Sequence, residues 1–170
     1  MQKPSKITDP FSLDFNKISD DEIISLRVQI EKEFKRRKIK FSSGEIGEKI
    51  AIDFFNNTPG LDNLQRAPTG TKNVDALSRK GERYSIKTIK DGNKSSTVYP
   101  DREDKVKQLF EYILIVQLND DFELEGLHRF SWKIFMEVRQ WDITMKAWYI
   151  SRSQKALKEG ECLYEKKERS

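Results

Sequence analysis

The stretch NVDALSRKGERYSIKTIK, residues 73–90, decides how this chain is read. Two runs rich in strand formers, 74–78 and 83–90, flank Arg79-Lys80-Gly81-Glu82, a connection of hairpin length that contains a glycine. Side chains alternate along a strand, so Ser85, Lys87 and Ile89 point one way while Ile86 and Thr88 point the other. Pairing through the turn carries Asp75 toward the far end of the second run, near Lys87–Lys90, where Asp75 and Lys87 converge on one face. A carboxylate is a hard oxygen ligand suited to Mg²⁺. An ammonium beside it orients a water and offsets charge that builds on a phosphate. That pairing suits phosphodiester hydrolysis. The plainer alternative is a surface ion pair on an edge strand whose lysines discourage aggregation.

Working outward, SSGEIGEKIAIDFFNNTPG (42–60) is a helix on its pattern: Ser42 caps with Glu45, Ile46, Ile50 and Phe54 form an apolar stripe, and Asn57–Gly60 ends it. Glu45 and Glu48 lie beside that stripe, as core-bordering acids or as ordinary first-turn acids favoured by the helix dipole. Upstream, SDDEIISLRVQIEKEFKRRKIK (19–40) opens with a capping box and repeats Ile23, Leu26, Ile30 and Phe34 at helical steps. Its basic end is either a solvated helix terminus or a phosphate contact. Residues 1–17 read as an arm without periodicity.

After a short strand at NLQRAP (63–68) and the hairpin comes a polar loop, 91–101, and DREDKVKQLFEY (101–112) predicts a helix with Val106, Leu109 and Phe110 inward. YILIVQL (112–118) is a continuous apolar run, as in a strand buried on both faces. FELEGLHRF (122–130) is a further strand, and a helix is expected from Ser131 through SWKIFMEV. WDITMKAWYIS (141–151) fits more than one element, and the stretch from Gln154 reads as helix and then charged tail. The order predicts an α/β (α+β) fold, a central mixed sheet flanked by helices, with residues 1–170 as one domain.

Apolar residues make up 36% of the chain and charged residues 35%, with ten Phe, five Tyr and three Trp, enough for a folded core. The net charge of +4 and a pI near 9.0 suit a nucleic-acid partner without requiring one. With one cysteine, Cys162, and one histidine, His128, internal disulfides, multi-cysteine zinc clusters and multi-histidine sites are excluded. Neither a GxxxxGK[ST] phosphate loop nor GxGxxG occurs. No apolar run reaches bilayer-spanning length and MQKPSKITDP has no signal core, so the expectation is a soluble, cytoplasmic protein with no membrane partner.

Taken together, GEIGEKIA (44–51), NVD (73–75) and, nine residues later, SIK (85–87) resemble the PD-(D/E)xK nuclease superfamily, the group of type II restriction endonucleases and Holliday junction resolvases. The resemblance covers residues 43–118 and implies a restriction-endonuclease-like core, a mixed sheet flanked by helices. It further implies that Asp75 binds metal, that Lys87 is the catalytic lysine, and that Glu48 is the acid contributed by the preceding helix. The backbone carbonyl of Ile86 is a further ligand by the same comparison. Two positions depart from the pattern: Asn73-Val74 stands where proline is usual, and Ser85 replaces the second acid. Another carboxylate then has to supply the charge, Glu48 first, or Asp101 or Glu103. Some restriction enzymes of this group likewise have a serine there and an acid about fourteen residues past the lysine, where Asp101 lies.

The resemblance thus implies Mg²⁺-dependent cleavage of double-stranded DNA, as a homodimeric type II restriction enzyme. The alternatives are a junction resolvase or repair nuclease, or an inactive DNA-binding protein on the same scaffold. Lys72, Lys90, Lys94, Ser95, Ser96 and Thr97 surround the hairpin with groups that bind phosphates and read base edges, with Arg66 and Tyr99 as weaker candidates. Trp132, Trp141 and Trp148 read as core or subunit contact rather than base-stacking residues.

Overall fold

A computed structural model describes residues 14–167. Most of the predicted N-terminal arm, residues 1–13, lies outside the described residues; Phe15–Lys17 forms a single 3₁₀ turn. The chain divides into two compact units, one ending at Lys40 and one beginning at Phe41.

In the first unit, α1 (Asp20–Arg37) starts where its capping box predicts. Ser19 Oγ accepts from the Glu22 N–H at 3.3 Å, and Glu22 Oε2 accepts from the Ser19 N–H at 2.8 Å. Lys38 ends it in the left-handed conformation at φ 55°.

In the second unit, α2 (Ser43–Asn57) leads into β1 (Leu64–Arg66), β2 (Ala76–Ser78) and β3 (Arg83–Ile89). There follow β4 (Tyr112–Leu118), β5 (Leu124–Ser131), α3 (Trp132–Val138), β6 (Gln140–Asp142), β7 (Ala147–Tyr149), α4 (Gln154–Leu157) and β8 (Glu161–Glu165). Six strands make one mixed sheet in the order β1-β2-β3-β4-β5-β8, all neighbours antiparallel except β3 and β4. Strands β6 and β7 form a separate hairpin.

The hairpin at the centre of the sequence reading forms through its turn. Gly81, at φ 82°, donates its N–H to the Ser78 carbonyl, and Ala76 pairs with Tyr84. Alternation along β3 divides the core into two layers. Tyr84 and Ile86 pack with Ala51 and Phe55 of α2 on one face, while Ile89 packs with Phe110, Phe135 and Trp148 on the other. Strand β4 is filled on both sides, Leu114 and Val116 joining the first layer and Ile113 and Ile115 the second. The sheet is therefore flanked by α2 on one face and α3 on the other.

Helix α2 sits one residue round from its predicted stripe. The line that faces β3 is Gly47, Ala51 and Phe55, with Ile46, Ile50 and Phe54 on its flanks. The reason is close approach: a Cβ on Gly47 would lie 2.0 Å from Thr88 Oγ1. Small residues win the contact line because they let the helix backbone reach the strand.

Two other expectations are corrected. Residues 101–112 form turns, not a helix, because side chains take the backbone donors that a helix would use: Asp101 Oδ1 accepts from the Glu103 and Asp104 N–H groups, and Asp104 Oδ1 from that of Val106. Val106 is exposed, Leu109 is half-buried, and only Phe110 is fully inward. The tail after Gln154 holds one helical turn and then β8, which extends the sheet beside β5. No helix among the described residues is long and apolar enough to cross a membrane.

Candidate active site

Asp75 directly precedes β2 and stays tied to the sheet: its N–H donates to the Tyr84 carbonyl at 2.8 Å, and its carbonyl accepts from the Ala67 N–H at 2.9 Å. Held there, its carboxylate lies across from Ser85. Oδ2 accepts from the Ile86 N–H at 2.6 Å, from Lys87 Nζ at 3.2 Å and from Ser85 Oγ at 3.3 Å. The side chains of Lys87 and Asp75 are 15% and 20% exposed, so this ion pair is far less wet than an ordinary surface pair. Ser85 itself is fully buried. At the position of the missing acid, its hydroxyl braces Asp75.

Among the described residues, one carbonyl on the edge of β3 facing Asp75 takes no backbone hydrogen bond. Within a strand, the N–H and C=O of a residue point to the same edge. On this edge the Tyr84 carbonyl takes the Asp75 N–H and the Thr88 carbonyl takes the Ser96 N–H. The Ile86 carbonyl lies between them, beyond the end of β2.

Glu48 comes from α2, whose close seating on Thr88 brings its first turns over β3. Its Oε2 accepts from Arg66 Nη2 at 2.7 Å and Nε at 3.1 Å, and the same guanidinium donates to Glu45 at 2.5 Å. Even so, the Glu48 carboxyl is held above the usual carboxylate range. Burial is the largest cause; Arg66 opposes it, and the negative charges of Asp75 and Glu45 add to the rise. Asp75 and Glu48 therefore share an electrostatic neighbourhood.

Oxygen donors of this kind suit a hard cation such as Mg²⁺. Mg²⁺ takes one or two carboxylates and keeps several waters, and Asp75, Glu48 and the Ile86 carbonyl offer only oxygen. Among the described residues no three His, Cys, Asp or Glu side chains gather into a metal-holding group, so Asp101 and Glu103 do not join the pair. Asp101 instead pairs with Lys107 at 3.5 Å, and its carboxyl is held low by the Glu103 and Asp104 N–H groups.

The predicted DNA contacts separate into two sets. Lys72 and Ser96 are exposed and Thr97 is half-buried. Ser95 is buried, donating to the Ser96 carbonyl and accepting from the Ile150 N–H, so its hydroxyl faces no phosphate in this conformation. Lys90 is only 16% exposed, pairs with Asp91 and lies over the Phe122 ring. Lys94 pairs with Asp142 at 2.5 Å and lies over Tyr149.

Sequence reasoning missed the role of Arg66 as a clamp on two glutamates, which no local pattern signals across the loop between α2 and β1. It also missed a cleft beside the site, lined by Lys72, Tyr99, Arg102, Lys105, Trp141 and Lys146. Lys72 and Tyr99 of its lining are candidates from the sequence alone; the basic residues of DREDKVK are a signal left unused. No protein-family model and no curated protein matches the chain.

Proposed function

We propose that this chain is a Mg²⁺-dependent endonuclease that hydrolyses DNA phosphodiester bonds, with a type II site-specific restriction enzyme as the preferred identity. The observation that carries the reading is the Lys87 ammonium 3.2 Å from the Asp75 carboxylate, both largely sheltered, with the Asp75 charge felt in turn at the Glu48 carboxyl. Support comes from a strand-end aspartate in contact with a lysine on the next strand, and from a helix glutamate that senses the aspartate's charge, in the chain order of the nuclease resemblance.

Asp75 and Glu48, with the Ile86 carbonyl, are the groups that would hold the metal. Mg²⁺ bound there would supply Lewis acidity toward a phosphoryl oxygen and a water of lowered pKa. Ser85 and the Ile86 N–H fix the Asp75 carboxylate, leaving Oδ1 to face a ligand. Lys87 orients the attacking water and neutralises charge on the phosphate as it builds. Arg66 counters the charge of Glu45 and Glu48 from the opposite side. Cutting both strands of a symmetric sequence calls for two copies of the site, hence a homodimer.

A binding-only reading draws on the same geometry. Ser85 spends its hydroxyl on Asp75, Glu48 is already paired with Arg66, and no three acids gather among the described residues. Plasmid incubated with Mg²⁺, and in parallel with EDTA, separates the two. Discrete products that vanish with EDTA support the nuclease; intact plasmid with a salt-sensitive gel shift supports the binder. Lys87→Ala is expected to lower cutting by roughly 10²–10⁴-fold while leaving DNA affinity in place. Cutting at the normal rate by that variant would overturn the assigned chemistry.

A further inference from the structure

The cleft beside Asp75 joins the site through one short segment. Lys72 lines it, and Asn73, two residues before Asp75, donates its Nδ2–H to the Tyr99 carbonyl at 3.2 Å. The volume is about 670 Å³, within the range of ligand clefts. Lys72, Arg102, Lys105 and Lys146 line it, all exposed and none in an ion pair among the described residues. Asp101 is the single acid in the lining, and Lys107 already answers it.

Two rings complete the lining, Tyr99 at 43% exposure and Trp141 at 44%. Trp141 stands on β6 in an edge-to-face contact with Trp148, their centroids 6.4 Å apart and their planes at 68°. At the tip of the same hairpin, Ile143 is 83% exposed and Met145 47%. Cations that draw phosphates, exposed rings that take a base face, and an apolar tip able to enter a base step are the parts of a site for unstacked nucleotides. Charge argues against the same face closing on a second copy, because a two-fold contact would set four unpaired cations against the same four.

We propose that this cleft holds unpaired bases of a DNA strand beside the scissile phosphate, with Trp141 and Tyr99 as stacking surfaces and the Ile143–Met145 tip as a wedge between base steps. The inference rests on the nuclease reading for the position of the phosphate, but binding tests it without cutting. Labelled oligodeoxynucleotides are offered in EDTA as a fully paired duplex and as the same duplex with a central unpaired stretch, and affinity is read by anisotropy. The unpaired form is expected to bind roughly tenfold or more tightly. Trp141→Ala is expected to remove most of that difference, and Trp141→Phe, which keeps a ring, to retain it. Lys105→Ala should lower the slope of log affinity against log salt by about one.

Equal affinity for the two forms, or a preference untouched by Trp141→Ala, overturns the proposal. So does sedimentation showing that Trp141→Ala splits a dimer while DNA binding is unchanged. Plasmid left uncut in Mg²⁺ while the preference for unpaired DNA persists sinks the nuclease reading alone. Normal cutting without that preference sinks the cleft alone.

Discussion

At Oδ2 of Asp75 three donors meet, one from the backbone, one from a buried hydroxyl and one from an ammonium. The buried Ser85 hydroxyl makes this bond at 3.3 Å, so Ser85→Ala should cost about 0.5–1.5 kcal/mol of stability in urea unfolding. If Glu48 is a metal ligand as proposed, it sets the acid side of the Mg²⁺-binding profile. Its raised pKa means that the folded state holds this proton more readily than the unfolded state, for which the ordinary value is 4.5. Ionised Glu48 therefore weighs against folding, increasingly as pH rises from about 4.5 through its raised value. Metal binding runs the other way, since the ligand must be deprotonated, and Mg²⁺ affinity should fall as pH drops through that same raised value. Because Arg66 pulls the Glu48 pKa down, Arg66→Ala is expected to shift the acid limb of Mg²⁺ binding to higher pH. A limb that stays in place would mean Glu48 is not a ligand.

Among the elements, the contact between α2 and β3 sets the site's dimensions. On an isolated helix Gly47→Ala would gain about 1 kcal/mol. Here its Cβ would run into Thr88, which is buried on a strand hydrogen-bonded on both sides, so packing reverses the sign. A net loss of roughly 1–3 kcal/mol is expected in thermal or urea unfolding. Thr88→Ala in the same chain should recover part of it, since the two residues share one space. This contact also shows where the sequence could be read and where it could not. The hairpin, β4 and the Ser131-capped helix follow from local patterns: a glycine turn, a run apolar on both faces, a cap. The identity of the buried line on α2 does not, because Gly47 faces the core for its lack of a side chain and hydrophobic periodicity counts only side chains that are present. The turns at 101–112 escape for a related reason, since acids that would favour a helix start also compete for its N–H groups. The Asp75–Lys87 meeting was readable from alternation, but the register was not. Asp75 lies opposite Ser85 near the start of β3, not at its far end by Lys87–Lys90, and the Lys87 side chain reaches back to it. Its braces at Ser85 and its neighbour Arg66 depend on contacts that no single segment contains.

For the whole molecule, the proposed Mg²⁺ site would make folding and metal binding one equilibrium. At a Mg²⁺ concentration ten times its dissociation constant, linkage adds about 1.4 kcal/mol, visible as a rise in Tm. Asp75→Asn should abolish that rise; a rise of equal size in the variant would place the ion elsewhere. The parallel join of β3 to β4 divides labour across the fold. Because parallel neighbours cannot be linked by a tight turn, residues 90–111 must travel out and back, and Tyr99, Arg102 and Lys105 all ride on that excursion. Lys87 rides on a paired strand instead, and Asp75 is bonded to that strand just ahead of β2. On the proposed nuclease reading, exchange of residues in the excursion would alter which DNA is accepted while Asp75 and Lys87 keep their places on the sheet, so that a change of specificity would call for a new loop and not a new framework.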